Sequence, residues 1–237
     1  MLHLLLRLAF ALVASGVPLS IAYVSKQRFG VRYPLLAVGL LSYSGAFLLQ
    51  TALGAIFSGP LLDSALFGAL FLGIVIGFTD VGMRFAAYLL LARDVLYRPQ
   101  AVMIGVGHAL PRIVFTAVLA VAFTISDREQ LFGTAAFGDF GSDTLAELIA
   151  LLGQLCLHIG VSWAVLQTLL RNETAWLFGC IFFAGMAFGT EVFIVNTTGE
   201  PAPLLILWWS IIGLISLAGF RYISPPADFR WTPPNQP

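Results

Sequence analysis

The sequence predicts an all-α, polytopic membrane protein whose seven transmembrane helices form one bundle. Hydrophobic residues make up 59% of the 237 residues and charged residues only 10%, a balance that excludes a soluble domain of this size. In addition, seven apolar segments each reach the roughly 17–20 residues that an α-helix needs to cross about 30 Å of hydrocarbon. The formal net charge of zero gives no reason to expect binding to nucleic acid.

The seven segments are separated by polar connections. In chain order they are Leu4–Val24, Tyr33–Phe57, Ser64–Ala92, Ala101–Thr124, Thr144–Leu170, Thr174–Val195 and Pro203–Phe220. The third is about 43 Å long by helical rise, so this helix must tilt or project from the bilayer. We expect residues 1–223 to form a single transmembrane domain and the proline-rich residues 224–237 to form a cytoplasmic tail. In this tail, Phe229 and Trp231 are suited to contact with a partner or with the membrane interface.

Basic residues are distributed unevenly between the two sets of connections. On one side lie Lys26, Arg28, Arg32, Arg93, Arg98, Arg171, Arg221 and Arg230. The other side carries only Arg128, with Arg7 near the N-terminal end. The positive-inside rule therefore predicts an external N-terminus and a cytoplasmic C-terminus, and we expect a bacterial inner membrane as the location. The longest outer connection, Ile125–Asp143, is rich in glycine and acidic residues and is predicted to be a surface loop.

Five polar residues lie in the middle of otherwise apolar spans. They are Asp80 and Arg84 on the third span, His108 and Arg112 on the fourth, and His158 on the fifth. By helical rise they lie about 12–21 Å from the cytoplasmic helix ends. A charge near the bilayer midplane costs roughly 2.5–3.5 kcal/mol, so such residues usually pair with one another or carry a function. We expect the three helices to face one another and Asp80 to form an ion pair with Arg84, Arg112 or both.

The motifs around these residues resemble those of intramembrane proteases. Thr79-Asp80-Val81-Gly82-Met83-Arg84 resembles the Glu-Glu-x-x-x-Arg signature of the prenyl-protease and bacteriocin-processing (CPBP) superfamily. Residues 105–112, Gly-Val-Gly-His-Ala-Leu-Pro-Arg, are similar to the Gly-x-Gly-His-Gly-x-x-Glu segment of the related YhfC family. His158 lies on the next span, where these families have a further histidine. The resemblance covers residues 64–170 and implies a seven-helix protease fold, with glutamates that activate water and histidines that bind metal or stabilise an oxyanion.

The chain departs from this family pattern at the positions that perform catalysis. Thr79 replaces the first glutamate, Asp80 replaces the second, and Arg112 stands where the fourth span has a glutamate. A guanidinium is not a base, and it repels a divalent cation. We therefore expect a vestigial site without peptidase activity. The expected function is that of a non-catalytic subunit or assembly factor that binds other integral membrane proteins.

Other interpretations of the same residues remain open at this point. A divergent intramembrane metallopeptidase would use Asp80, His108 and His158, with zinc as the metal. The two histidines are also suited to axial ligation of a chlorophyll-type pigment or a haem. A small transporter or proton-coupled channel would use the same polar track. Glu191, near the outer end of the sixth span, is expected to reach toward water.

Overall fold

The computed structural model describes residues 2–57, 64–126 and 137–224 of the chain. Within these residues the chain forms seven α-helices and no β-strand. The helices are α1 (Leu2–Phe29), α2 (Pro34–Ile56), α3 (Ala65–Leu90), α4 (Arg98–Ser126), α5 (Phe137–Arg171), α6 (Ala175–Thr197) and α7 (Ala202–Tyr222). The predicted tail, with Phe229 and Trp231, lies outside the described residues.

Each of these seven helices is long and apolar enough to cross a membrane, so the chain is a multi-pass membrane protein. The predicted all-helical fold with seven spans is therefore confirmed. One predicted loop was too long: α4 continues to Ser126 and α5 already begins at Phe137, inside the segment Ile125–Asp143. The glycines of that segment suggested a loop, but a glycine within a helix costs only about 1 kcal/mol, which packing can outweigh.

Two helices end at residues with left-handed backbone conformation. Gly30 has a φ of 66° just after α1, and Asn172 has a φ of 55° just after α5. Glycine and asparagine are the residues that adopt this conformation most readily after a helix. At the first of these ends, the N–H of Gly30 still donates to the Lys26 carbonyl at 3.0 Å, which satisfies one of the last carbonyls of the helix.

Helix α5 forms the centre of the bundle. In its most apolar stretch 72% of the residues are buried, against at most 39% in any other described helix. It packs against α7 on one side and α4 on the other, and it also touches α1, α3 and α6. Around this centre, α3 pairs with α6, while α4 pairs with α1 and α2. The polar residues of α3, α4 and α5 are consequently directed at a common interior.

Small residues bring these helices into close contact. A Cβ atom built on Gly73 of α3 would lie 2.6 Å from the carbonyl oxygen of Gly185 on α6. Gly77 meets the same helix one turn later, where a Cβ would lie 2.4 Å from the carbonyl oxygen of Ile181. On α5, a Cβ on Gly153 would lie 2.6 Å from the carbonyl oxygen of Trp209 on α7. Backbone-to-backbone packing of this kind holds helices together where lipid offers no hydrophobic driving force.

Candidate functional site

Two glycines of α4 determine how the polar centre is built. A Cβ on Gly105 would lie 2.8 Å from the His158 carbonyl oxygen of α5. A Cβ on Gly107 would collide with the backbone of Leu36 on α2. Because neither glycine has a side chain, α2 and α5 approach α4 from two sides. His108, the next residue of α4, is fully buried between them.

Asp80 is the only carboxylate of this centre among the described residues, and both of its oxygens have partners. Its Oδ1 accepts a hydrogen bond from Gln50 Nε2 of α2 at 2.8 Å. Its Oδ2 lies 3.5 Å from His108 Nε2 and 3.9 Å from Arg84 Nη2. The predicted ion pair between Asp80 and Arg84 is thus confirmed. Gln50 also donates to Thr79 Oγ1 at 2.9 Å, so one amide binds both Thr79 and Asp80.

Arg84 connects the carboxylate to the second histidine. Its Nη2 lies 2.8 Å from His158 Nδ1, and since a guanidinium only donates, the imidazole nitrogen is the acceptor. The guanidinium is 1% exposed, and its Nε and Nη1 have no hydrogen-bond acceptor within the described residues. The two histidine rings lie close together, with centroids 4.9 Å apart. As predicted, α3, α4 and α5 face one another, and they bring Asp80, Arg84, His108 and His158 together.

Arg112 does not join this centre. Its Nη2 lies 3.6 Å from Glu191 Oε2 of α6, and its guanidinium carbon lies 4.9 Å from the centre of the Phe188 ring. Of the two arginines expected beside Asp80, only Arg84 forms the ion pair within the described residues. Arg112 lies one turn beyond His108 along α4, at the level of Glu191 on α6, and depth alone did not predict this partner. Glu191, which was expected to reach toward water, is instead its ion-pair partner.

Two residues of the site were missed by sequence reasoning. Gln50 binds Asp80, and Ser42 Oγ lies 2.8 Å from His108 Nδ1. One signal could have found both. Ser42 and Gln50 are polar residues on the same side of α2, eight positions apart in an otherwise apolar span. A polar stripe of this kind predicts contact with polar residues of another helix.

No family model, curated protein or solved structure matches this chain.

The hydrogen bonds are consistent with a centre whose charges balance. Ser42 Oγ lies 2.7 Å from the Gly39 carbonyl oxygen and 2.8 Å from His108 Nδ1. The single hydroxyl proton of Ser42 can serve only one of these two acceptors. When it turns from the Gly39 carbonyl to Nδ1, neutral His108 carries its proton on Nε2 and directs it at Asp80. The carboxylate is then the single negative charge and Arg84 the single positive one. The opposite tautomer would leave two lone pairs facing each other across 3.5 Å in a buried space.

The same residues include a possible donor set for a metal ion. Asp80, His108 and His158 are all buried, and one donor atom of each lies within 4.8 Å of the others. Two ligands of a tetrahedral zinc ion lie about 3.4 Å apart, which matches the distance between Asp80 Oδ2 and His108 Nε2. At the third residue Arg84 donates to Nδ1 of His158, so a permanent positive charge lies beside the donor set. A divalent ion bound here would be repelled by this guanidinium.

Proposed function

We propose that this chain is a non-catalytic integral membrane subunit or assembly factor, built on a helix bundle whose motifs at residues 79–84 and 105–112 resemble those of CPBP and YhfC proteases. One observation supports this most strongly: the 2.8 Å contact between Arg84 and His158 Nδ1. It occupies one nitrogen of His158 and places a permanent positive charge beside the three candidate metal ligands. The residues of the former site then act as a packing centre for α2, α3, α4 and α5.

The surroundings of Asp80 also argue against peptide hydrolysis. A general base must reach a water molecule and must be able to take up its proton. The Asp80 residue is 5% exposed, and its oxygens face Gln50, His108 and Arg84. The ion pair with Arg84 favours the ionised carboxylate and makes it a poor proton acceptor. Thr79 has no carboxylate, and its hydroxyl donates to the Val75 carbonyl at 2.7 Å.

Helix α6 offers the surface best suited to another membrane protein. Phe178, Phe182, Met186 and Phe193 are all exposed and lie at helical spacing along one face. Aromatic residues and methionine are enriched in protein interfaces. Helix α7 is less suitable, because Trp209 is buried and Trp208 donates its indole N–H to the Ala187 carbonyl of α6. We therefore propose the α6 face as the docking surface.

A matched pair of photo-crosslinking positions tests this function. Phe182 on α6 is 70% exposed, and Leu12 on α1 is 74% exposed, so both positions are equally available to lipid. A photoreactive amino acid at Phe182 should form one discrete protein adduct in native membranes, whereas the same group at Leu12 should react with lipid alone. If neither position yields a protein adduct, the proposed subunit role is wrong.

We further propose an external N-terminus and a cytoplasmic C-terminus in a bacterial inner membrane. The support is the excess of basic residues in the connections after α1, α3 and α5 and after α7. Phe29 is the last residue of α1, and Gly199 follows α6. When cysteines are introduced at these two positions, a membrane-impermeant reagent should label only Gly199→Cys in intact cells. Labelling of Phe29→Cys instead would reverse the orientation.

The second candidate is a divergent metallopeptidase that uses Asp80, His108 and His158. The observation in its favour is the proximity of three buried donor groups. It requires a divalent ion to bind beside the Arg84 guanidinium, or Arg84 to move away from His158. Zinc retained in a one-to-one ratio by the purified protein, together with cleavage of a membrane peptide that is lost in His108→Ala, would establish this candidate and refute the first.

A further inference from the structure

A lateral groove opens between α5, α6 and α7, away from the polar centre. It encloses about 510 Å³, within the range of roughly 300–1,000 Å³ that is usual for ligand sites. Although α6 and α7 follow each other in the chain, they touch only sparsely. Small residues widen the space between the helices: Gly160 and Ala164 on α5, Gly179 on α6 and Gly219 on α7. Apart from Glu173 and Ser216, the lining is apolar.

The groove has the length of one membrane leaflet. Its deepest α5 residue is Gly160, and the helix ends at Arg171, a distance of about 16 Å by helical rise. Half of the hydrocarbon core is about 15 Å thick. The mouth of the groove, at Glu173 and Ile223, therefore lies at the level of the lipid headgroups, and its inner end lies near the midplane.

Arginines gather at the mouth of this groove. Arg171 Nη2 donates to the Ser224 carbonyl at 2.6 Å, and Arg98 Nη2 donates to the Ile223 carbonyl at 2.5 Å. Arg221 lies in the last turn of α7, two residues before Ile223. Within residues 2–57, 64–126 and 137–224, none of the three forms an ion pair with a carboxylate. Glu173, the one carboxylate among the described residues that line the groove, accepts a hydrogen bond from the Trp176 indole at 3.1 Å.

We propose that this groove binds an anionic phospholipid, with one acyl chain between α5, α6 and α7 and the phosphate against Arg98, Arg171 and Arg221. The apolar lining and leaflet length suit an acyl chain, and the uncompensated positive charge suits the headgroup. Basic pockets between transmembrane helices bind anionic lipid headgroups in this manner. A free phosphate would use the arginines but leave the apolar groove without a role.

The test uses the full-length protein in detergent and native mass spectrometry with added dioleoylphosphatidylglycerol or dioleoylphosphatidylcholine. One phosphatidylglycerol should be retained in clear preference to phosphatidylcholine. Arg98→Gln and Arg171→Gln should each weaken retention about fivefold, because one basic residue near the headgroups contributes roughly 1 kcal/mol. Arg93→Gln is the matched control at the end of α3, outside the groove, and should change nothing.

A second variant tests the groove without touching the arginines. A Cβ on Gly179 meets no atom within 4 Å, so Gly179→Phe should fold and fill the groove. It should abolish phosphatidylglycerol retention, whereas Gly16→Phe on α1, where a Cβ also meets no atom within 4 Å, should leave it intact.

Four results would overturn the proposal. Equal retention of both lipids would show an unspecific apolar groove, and unchanged binding in Gly179→Phe would show that lipid binds elsewhere. Binding that appears only after deletion of residues 225–237 would mean that the chain's own tail fills the groove. If inorganic phosphate is retained as well as phosphatidylglycerol, a role for the acyl chain is also refuted.

Discussion

Two of the ion pairs among the described residues differ in their surroundings. Asp80 and Arg84 lie one turn apart on α3, their side chains are 7% and 1% exposed, and side chains of α2, α4 and α5 surround them. Arg112 and Glu191 join α4 to α6, with side chains 36% and 19% exposed. They border a cavity of about 290 Å³ that also contacts Asn196, near the end of α6. The first pair is therefore sealed in the bundle, while the second is open to its surroundings.

This difference determines what each pair contributes. A buried pair has lost its hydration, so removing one partner leaves an uncompensated charge, although replacing both partners can be nearly neutral. A partly exposed pair keeps some hydration and loses little when one partner is removed. Only the inner pair is thus expected to control the stability of the bundle. The outer pair is free to change its partner or its hydration without unfolding the protein.

The largest effect is expected from Asp80→Asn. The substitution leaves Arg84 charged and 1% exposed with no counter-ion within the centre. Loss of one member of a buried pair typically costs about 3–5 kcal/mol, so we expect the free energy of unfolding to fall by that amount. Denaturant titration in mixed micelles measures this change.

A double variant separates charge from packing. Asp80→Asn combined with Arg84→Met removes both charges and keeps the side-chain volumes similar, so most of the lost stability should return. If the double variant is as unstable as Asp80→Asn, the hydrogen bonds of the centre matter more than its charge balance.

An intermediate effect is expected from Gly107→Ala. The new methyl group would meet the backbone of Leu36 and force α2 away from α4 beside His108. Overpacking of this kind costs about 1–3 kcal/mol, and thermal unfolding of the purified protein should show it. Gly82→Ala on α3 is the matched control, because its methyl group meets no atom within 4 Å. The control should be neutral or slightly stabilising, since alanine favours helix over glycine. Equal losses in both variants would contradict the close approach of α2 and α4.

The contrast between the pairs also indicates which parts of the site the sequence could predict. Hydropathy and helix length predict the seven spans, and the matched depth of Asp80, His108 and His158 predicts that they meet. Depth alone does not predict the partner of Arg112, because the direction of a side chain depends on the rotation of each helix. That rotation is set by backbone contacts at positions such as Gly105 and Gly107, which hydropathy does not reveal. Gln50 and Ser42 were missed for the same reason: their polarity is visible in the sequence, but the helix they face is not.

The smallest effect is expected from Arg112→Gln. The arginine is 36% exposed, and its guanidinium also stacks on Phe188, so the glutamine loses an ion pair that water already weakens. Glu191 keeps a second polar neighbour, because Gln154 Nε2 lies 3.4 Å from its Oε1. The free energy of unfolding should therefore fall by at most about 1 kcal/mol, measured as for Asp80→Asn. A loss as large as that of Asp80→Asn would show that lipid, rather than water, surrounds the outer pair. In that case Arg112→Gln with Glu191→Gln should recover the stability, as expected for two charges that only each other can neutralise.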